Sequence, residues 1–285
     1  MSLLEVADVT VRFGSLTAVD HVSMRLERGG VLGLVGGSGS GKSTLARVIV
    51  GLQRPTAGSV RLDASAAITS KGDRKARART VQMVFQDPYR SLNPRMTIGE
   101  MLEEALRLRS GDGPADSERD RLLDLVHLDP AVADSYPHAL SGGMRQRAAI
   151  ARALAVEPRL LVADEITASL DASVQGAVLN LLRELRSELG LALLFISHNL
   201  ATVRYISDEI AVMHNGRIVE IGAIDKIIDD PQNEYTRRLL DAVPPPIERA
   251  AAAIMRSRPS ARAAESTGPA AEMSIDAIRT SKEAN

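Results

Sequence analysis

The sequence predicts an α/β fold: a core with a parallel sheet, an N-terminal antiparallel β subdomain and an inserted helical subdomain. Three observations lead there. Short, wholly apolar runs at 31–35, 160–163 and 192–196 have the composition of strands covered on both faces. Helical sequence alternates with them, as in strand-helix-strand units. A long polar, helix-rich stretch, about 91–156, separates the first run from the other two.

In chain order, Leu4, Val6, Val9, Val11 and Phe13, then Val22, Met24 and Leu26, fall largely on alternate positions with Gly14-Ser15 between them. That spacing predicts an antiparallel, half-buried pair of strands. After the run at 31–35 come a glycine-rich loop and a helix, about 42–50, whose end is marked by Gly51 and, further on, Pro55. A strand is expected at 81–85. Inside 91–156, Thr97-Ile98-Gly99-Glu100 has the spacing of a capping box. Residues 173–189 read as the helix between the last two buried strands. Residues 210–213 and 217–221 flank His214-Asn215-Gly216, whose Asn-Gly pair favours a tight hairpin turn. Beyond Pro244-Pro245-Pro246 the chain is rich in Ala, Ser, Thr and Glu and nearly free of large apolar residues, so 1–243 is expected to form the folded cassette and 244–285 a hinge and a disordered tail.

Composition removes several classes of function. With 285 residues, 45% of them hydrophobic, the chain can bury one sizeable core or two modest ones. Its 35 basic and 36 acidic residues nearly cancel, so no nucleic-acid partner is expected. The absence of cysteine excludes disulfides, thiolate nucleophiles and cysteine-bound zinc or iron-sulfur centres. The longest apolar runs, such as 191–196, fall far short of the roughly 20 residues that span a bilayer, and the first residues lack the pattern of a secretory signal. If the protein works in transport, other chains must supply the pore.

Gly36-Gly37-Ser38-Gly39-Ser40-Gly41-Lys42-Ser43 fits GxxxxGK[ST] between an apolar strand and a helix, the context that the phosphate-binding loop requires. Glycines let successive N–H groups point at phosphate oxygens, and the helix N-terminus adds partial positive charge. Lys42 is then the residue for the terminal phosphates and Ser43 for Mg2+. By itself the loop does not separate a transporter ATPase from a kinase or a GTPase. At the end of the strand at 160–163, Asp164 and Glu165 stand where ligands gather in open parallel sheets. Asp164 is the candidate for the metal and Glu165 for polarising an attacking water. Leu140-Ser141-Gly142-Gly143-Met144-Arg145-Gln146-Arg147 opens an alanine-rich helix with Ser141 suited to N-capping. Two glycines in a first turn cost helix stability, and close approach of a phosphate gives a reason for them.

With that last segment about a hundred residues after the phosphate loop, the chain resembles the ATPase subunits of ABC transporters over roughly residues 3–243. The resemblance implies ATP as the bound nucleotide. Phe13 matches the aromatic that stacks on adenine, Thr44 lies beside Ser43 in the loop, and Gln86 matches the glutamine that joins the two lobes and approaches the metal. Glu165, His198 and Gln86 then form the catalytic set, with His198 on the terminal phosphate. Ser141, Gly142, Gly143 and Asp171 are implied to act in trans: two ATPase subunits face head to tail, and each ATP lies between one phosphate loop and the other chain's signature. The implied partners are two membrane-spanning permease subunits, a second ATPase of the same or a related kind, and an extracytoplasmic solute-binding protein. The implied location is the cytoplasmic face of the membrane.

Residues 85–95 (Phe85-Gln86-Asp87-Pro88-Tyr89-Arg90-Ser91-Leu92-Asn93-Pro94-Arg95) and Tyr235-Thr236-Arg237-Arg238-Leu239-Leu240 resemble the corresponding segments of the peptide and nickel importer branch. On spacing alone the second segment reads as a surface helix. The chain departs from that pattern at Ile166, where the family usually has proline, and at Gln232-Asn233-Glu234, which replaces a His-Pro lead into Tyr-Thr. A soluble ABC ATPase acting on nucleic acid or ribosomes is the alternative. That class usually carries two cassettes, a long coiled coil or a zinc insertion, whereas this chain has one cassette and no cysteine. The basic cluster Lys71, Arg74, Lys75, Arg77 and Arg79, interrupted by Asp73, reads as a solvated edge.

Overall fold

The computed structural model describes residues 2–63, 71–87, 91–110 and 116–242. The expected hinge and tail from 244, and Pro88, Tyr89 and Arg90, lie outside the described residues. The strands are β1 (Ser2–Phe13), β2 (Leu16–Glu27), β3 (Val31–Val35), β4 (Ala57–Leu62), β5 (Val81–Val84), β6 (Leu160–Asp164), β7 (Ala192–Ile196), β8 (Glu209–His214) and β9 (Arg217–Ala223). The helices are α1 (Lys42–Val50), α2 (Lys71–Thr80), α3 (Ile98–Ser110), α4 (Asp116–Leu125), α5 (Gly142–Leu154), α6 (Ala172–Leu189), α7 (Leu200–Ile206), α8 (Ile224–Asp229) and α9 (Glu234–Asp241).

The alternation of β1 and β2 produces the expected hairpin, with Val6 opposite Met24 and Val9 opposite Val22. The free edge of β1 takes up β4, placing Leu62 beside Leu4 and Val60 beside Val6, so the subdomain sheet runs β2-β1-β4. The second sheet runs β5-β6-β7-β3-β8-β9, all parallel except β9, which pairs antiparallel with β8. The β8–β9 turn has φ 47° at Asn215 and 80° at Gly216, the left-handed pair that an Asn-Gly hairpin turn uses.

The apolar runs of the central sheet serve two cores. Leu161, Ala163, Leu193 and Phe195 pack with the helical subdomain, α6 and α7 on one face. Leu160, Val162, Leu194 and Ile196 pack with α1 and the antiparallel sheet on the other. Strands buried on both faces need no polar alternation, which is why these segments read as continuous apolar runs.

In the helical subdomain the capping box closes as its spacing predicts: Thr97 N–H donates to Glu100 Oε2 at 2.7 Å, and Glu100 N–H to Thr97 Oγ1 at 3.2 Å. Arg77 donates to the carbonyls of Val48 and Ile49, which end α1, and Arg79 to that of Leu108 in α3. These two members of the basic cluster therefore hold helix ends, using cations where helix dipoles favour them.

Candidate active site

The loop between β3 and α1 curls in a way that only glycine permits at some positions. Gly39 and Gly41 have φ of 74° and 104°. A Cβ at Gly36 would stand 2.1 Å from the Met213 carbonyl oxygen, and one at Gly41 2.3 Å from that of Ala18. The β8–β9 turn braces the loop from outside, with Gly216 N–H donating to the Ser40 carbonyl at 3.0 Å. Lys42 is buried, and its Nζ donates to the carbonyls of Gly36 and Gly37, each at 2.9 Å. Burial lowers its pKa, against the opposing pull of Glu165 and Asp164. A partly desolvated ammonium held by neutral carbonyls attracts an anion strongly, because little water screens it. Ser38 and Gly39 are exposed at the tip of the loop, and Thr44 is half-buried in the first turn of α1.

Strand β6 delivers its carboxylates to the same end of the sheet. Ser43 Oγ donates to Asp164 Oδ1 at 3.2 Å, so the hydroxyl and the carboxylate share one small volume. Burial raises the pKa of Asp164, the Ser43 hydrogen bond opposes that rise, and the neighbouring Glu165 adds to it. This donor set fits Mg2+. Among the described residues no group of three or more His, Cys, Asp or Glu side chains converges to hold a metal, and Mg2+ is typically held by one or two protein oxygens together with substrate phosphates.

Glu165 adopts φ 51°, a left-handed conformation uncommon for a non-glycine residue, while its N–H donates to the Ile196 carbonyl at 2.9 Å. His198, two residues past β7, has its Nδ1 3.5 Å from Glu165 Oε1. Ile166 is wholly buried in the larger core, so the departure from proline is absorbed by packing. Gln86 is exposed two residues past β5, and the β5–β6 register, with Val84 opposite Ala163, brings it to the same end of the sheet as Glu165. Phe13 closes β1 with 49% of its surface exposed.

The remaining predicted residues serve helix starts and helix packing. Ser141 caps α5 by accepting from Met144 N–H at 3.3 Å. Asp171 caps α6, accepting from the amides of Ser173 and Val174 and from the Ser173 hydroxyl; that hydroxyl and the amides hold its carboxyl below the ordinary range. Gly142 would meet only Leu170, at 3.7 Å, if given a Cβ, but one at Gly143 would lie 2.6 Å from Val174 Cγ1. Packing against α6 is thus a reason for glycine at position 143 that stands beside the approach of a phosphate expected from the sequence. Among the described residues no hydrogen bond or ion pair joins Ser141, Gly142, Gly143 or Asp171 to the phosphate loop.

The profile of the ABC transporter family matches residues 19–168, a span that holds the phosphate loop, the signature segment and both β6 carboxylates. The chain belongs to the ABC transporter family. OppF of Salmonella typhimurium, an oligopeptide transport ATP-binding protein, is 44% identical over 261 residues, covering 86% of this chain and 78% of that one. CbiO1 of Clostridium perfringens, part of the ABC transporter complex cbiONQ, superposes with a TM-score of 0.74 at 26% identity, over 89% of this chain and 99% of its own. The ATP-binding cassette MJ0796, solved as a dimer in a post-hydrolysis state bound to ADP and Pi, gives a TM-score of 0.70 at 27% identity, over 78% of this chain and 99% of that one. This ABC ATPase binds and hydrolyses ATP. Among the described residues, none of its helices is long and apolar enough to cross a membrane.

One contact at this ABC site was not legible in the sequence. Tyr235, in the segment that reads as a surface helix, accepts a hydrogen bond from Gly37 N–H at 2.9 Å. The two residues lie 198 positions apart, and no local pattern signals the pairing.

Proposed function

We propose that this ABC ATPase energises a peptide importer, paired with a second ATPase on the cytoplasmic face of the membrane and coupled there to two permease subunits and an extracytoplasmic binding protein. The observation that carries the reading is the convergence of Lys42, Ser43, Asp164 and Glu165 at one end of the sheet, while Ser141 and Asp171 cap helices and, among the described residues, make no hydrogen bond to the phosphate loop. The peptide branch is drawn from the likeness to OppF.

In this reading, Gly36, Ser38, Gly39, Gly41 and Thr44 shape and line the phosphate cradle, Lys42 meets the terminal phosphates, and the exposed ring of Phe13 receives adenine. Ser43, Asp164 and Gln86 are the residues to hold Mg2+, which when bound offsets phosphate charge. Glu165 takes a proton from the attacking water, and His198, within reach of Glu165, contacts the terminal phosphate. A second chain contributes Ser141, Gly142, Gly143 and Asp171, completing two composite sites per pair. Closure by ATP and reopening after hydrolysis then bias the permeases through the differing affinity of the two states.

Affinity capture of the tagged protein from native membranes, with co-purifying chains identified by mass spectrometry, tests the partner assignment. Multi-span permeases, a second ATPase and a peptide-binding protein are expected. Ribosomal or nucleic-acid proteins without permeases would contradict it.

A further inference from the structure

The contact between Tyr235 and the phosphate loop has a built support behind it. Glu220 of β9 accepts the N–H groups of Gln232 and Asn233 at 2.7 and 3.1 Å, fixing the chain between α8 and α9. Asn233 then caps α9 by accepting from Tyr235 N–H at 2.8 Å, so the departure from His-Pro in this segment still starts the helix cleanly. The Tyr235 ring stacks on His214, with centroids 3.8 Å apart and planes 22° apart, and this aims its hydroxyl at Gly37.

Glycine at position 37 makes the same point independently. The GxxxxGK[ST] pattern leaves this position free, and Gly37 is not among the residues with positive φ. The atom that a Cβ there would meet within 4 Å is the Tyr235 hydroxyl oxygen, at 3.2 Å. A side chain would crowd the hydroxyl that the bare backbone admits.

We propose that Tyr235 is a positioning residue for the nucleotide: its hydroxyl, aimed by His214, holds the Gly37 amide and so keeps the phosphate loop in its receptive shape. A loop this rich in glycine loses much conformational freedom on ordering. An anchor that orders it beforehand lowers what the nucleotide must overcome. The bond also ties the loop to α9, so a displacement of the C-terminal element reaches the phosphates through one hydrogen bond. The proposal rests on the phosphate-loop reading of residues 36–43.

The test is equilibrium binding of fluorescent ADP to the full chain and to Tyr235→Phe, His214→Ala, the double variant and Lys42→Ala. Tyr235→Phe keeps the ring and removes only the hydroxyl. It is expected to weaken ADP up to about tenfold, the ceiling set by one net hydrogen bond, with the nucleotide-free chain still folded at the assay temperature and its melting temperature lowered by no more than a few degrees, about 6 °C. His214→Ala should weaken ADP in the parent chain and add nothing in the Tyr235→Phe background, because the stack acts through the hydroxyl. Parent-like binding by Tyr235→Phe, a loss accounted for by unfolded chain at the assay temperature, or an equal cost of His214→Ala in both backgrounds overturns the proposal. Parent-like binding by Lys42→Ala would instead overturn the phosphate-loop reading, and the proposal with it.

Discussion

Gly143→Ala separates two reasons for a glycine that look alike in sequence. The added methyl would stand 2.6 Å from Val174 Cγ1, in the first turn of α6. Val174 is β-branched and stiff at χ1, so it cannot swing aside without strain. Overpacking of this kind costs about 1–3 kcal/mol, and replacing glycine in a helix returns up to about 1 kcal/mol. Taken at the middle of the overpacking range, the net loss should be about 1–2 kcal/mol, which for a folded unit of this size lowers the melting temperature by about 2–8 °C. Gly142→Ala is the internal control, since its methyl meets only Leu170, at an ordinary 3.7 Å. It should leave nucleotide-free stability unchanged or raise it by up to about 1 kcal/mol. Differential scanning fluorimetry of both variants without nucleotide reads the difference directly. Val174→Ala removes the obstructing methyl, so Gly143→Ala should cost less in that background. If Gly143→Ala melts at or above the parent temperature, the packing argument is wrong and the glycine serves only a ligand.

Two further outcomes follow from the site. Asp164 carries a raised pKa, first because of burial. Its folded carboxyl therefore holds a proton more tightly than the unfolded one, and its contribution to stability is most favourable below the ordinary value of 3.8 and is lost as pH rises through the raised folded value. Denaturation measured without nucleotide across this window should find Asp164→Asn gaining on the parent as pH rises, while losing the stabilisation that ATP with Mg2+ confers. A gap independent of pH would count against the burial argument. Phe13→Ala should leave stability within about 0.5 kcal/mol, because the side chain is half exposed. The same variant should weaken ATP about two- to tenfold through the lost ring contact, as calorimetry would detect; unchanged affinity would remove Phe13 from the site.

Much of the fold could be read because its signals are local. The apolar runs at 31–35, 160–163 and 192–196 became β3, β6 and β7, and the Asn-Gly turn and the capping box closed as their residue types require. Strand β4 was not foreseen: Ala57-Gly58-Ser59 has little strand character, and its place comes from pairing with the free edge of β1 about fifty positions earlier. The phosphate loop and the β6 carboxylates were legible because each is a compact motif in a recognisable context. Their meeting, through Ser43 and Asp164, depends on sheet order, which only the fold supplies. The positive φ of Glu165, the packing role of Gly143 and the reach of Tyr235 to Gly37 all arise from contacts between distant segments, on which composition and periodicity are silent.

The central claim is that Glu165 drives ATP hydrolysis at the end of β6, and Glu165→Gln tests it most directly, since glutamine keeps the shape of the side chain and removes its basicity. Phosphate release should be measured under saturating ATP and Mg2+, with bound nucleotide quantified in the same samples. A fall of about 10²–10⁴-fold in turnover, the usual worth of a positioned general base, with ATP still bound, is the predicted result. Turnover within a few-fold of the parent chain would contradict the assignment.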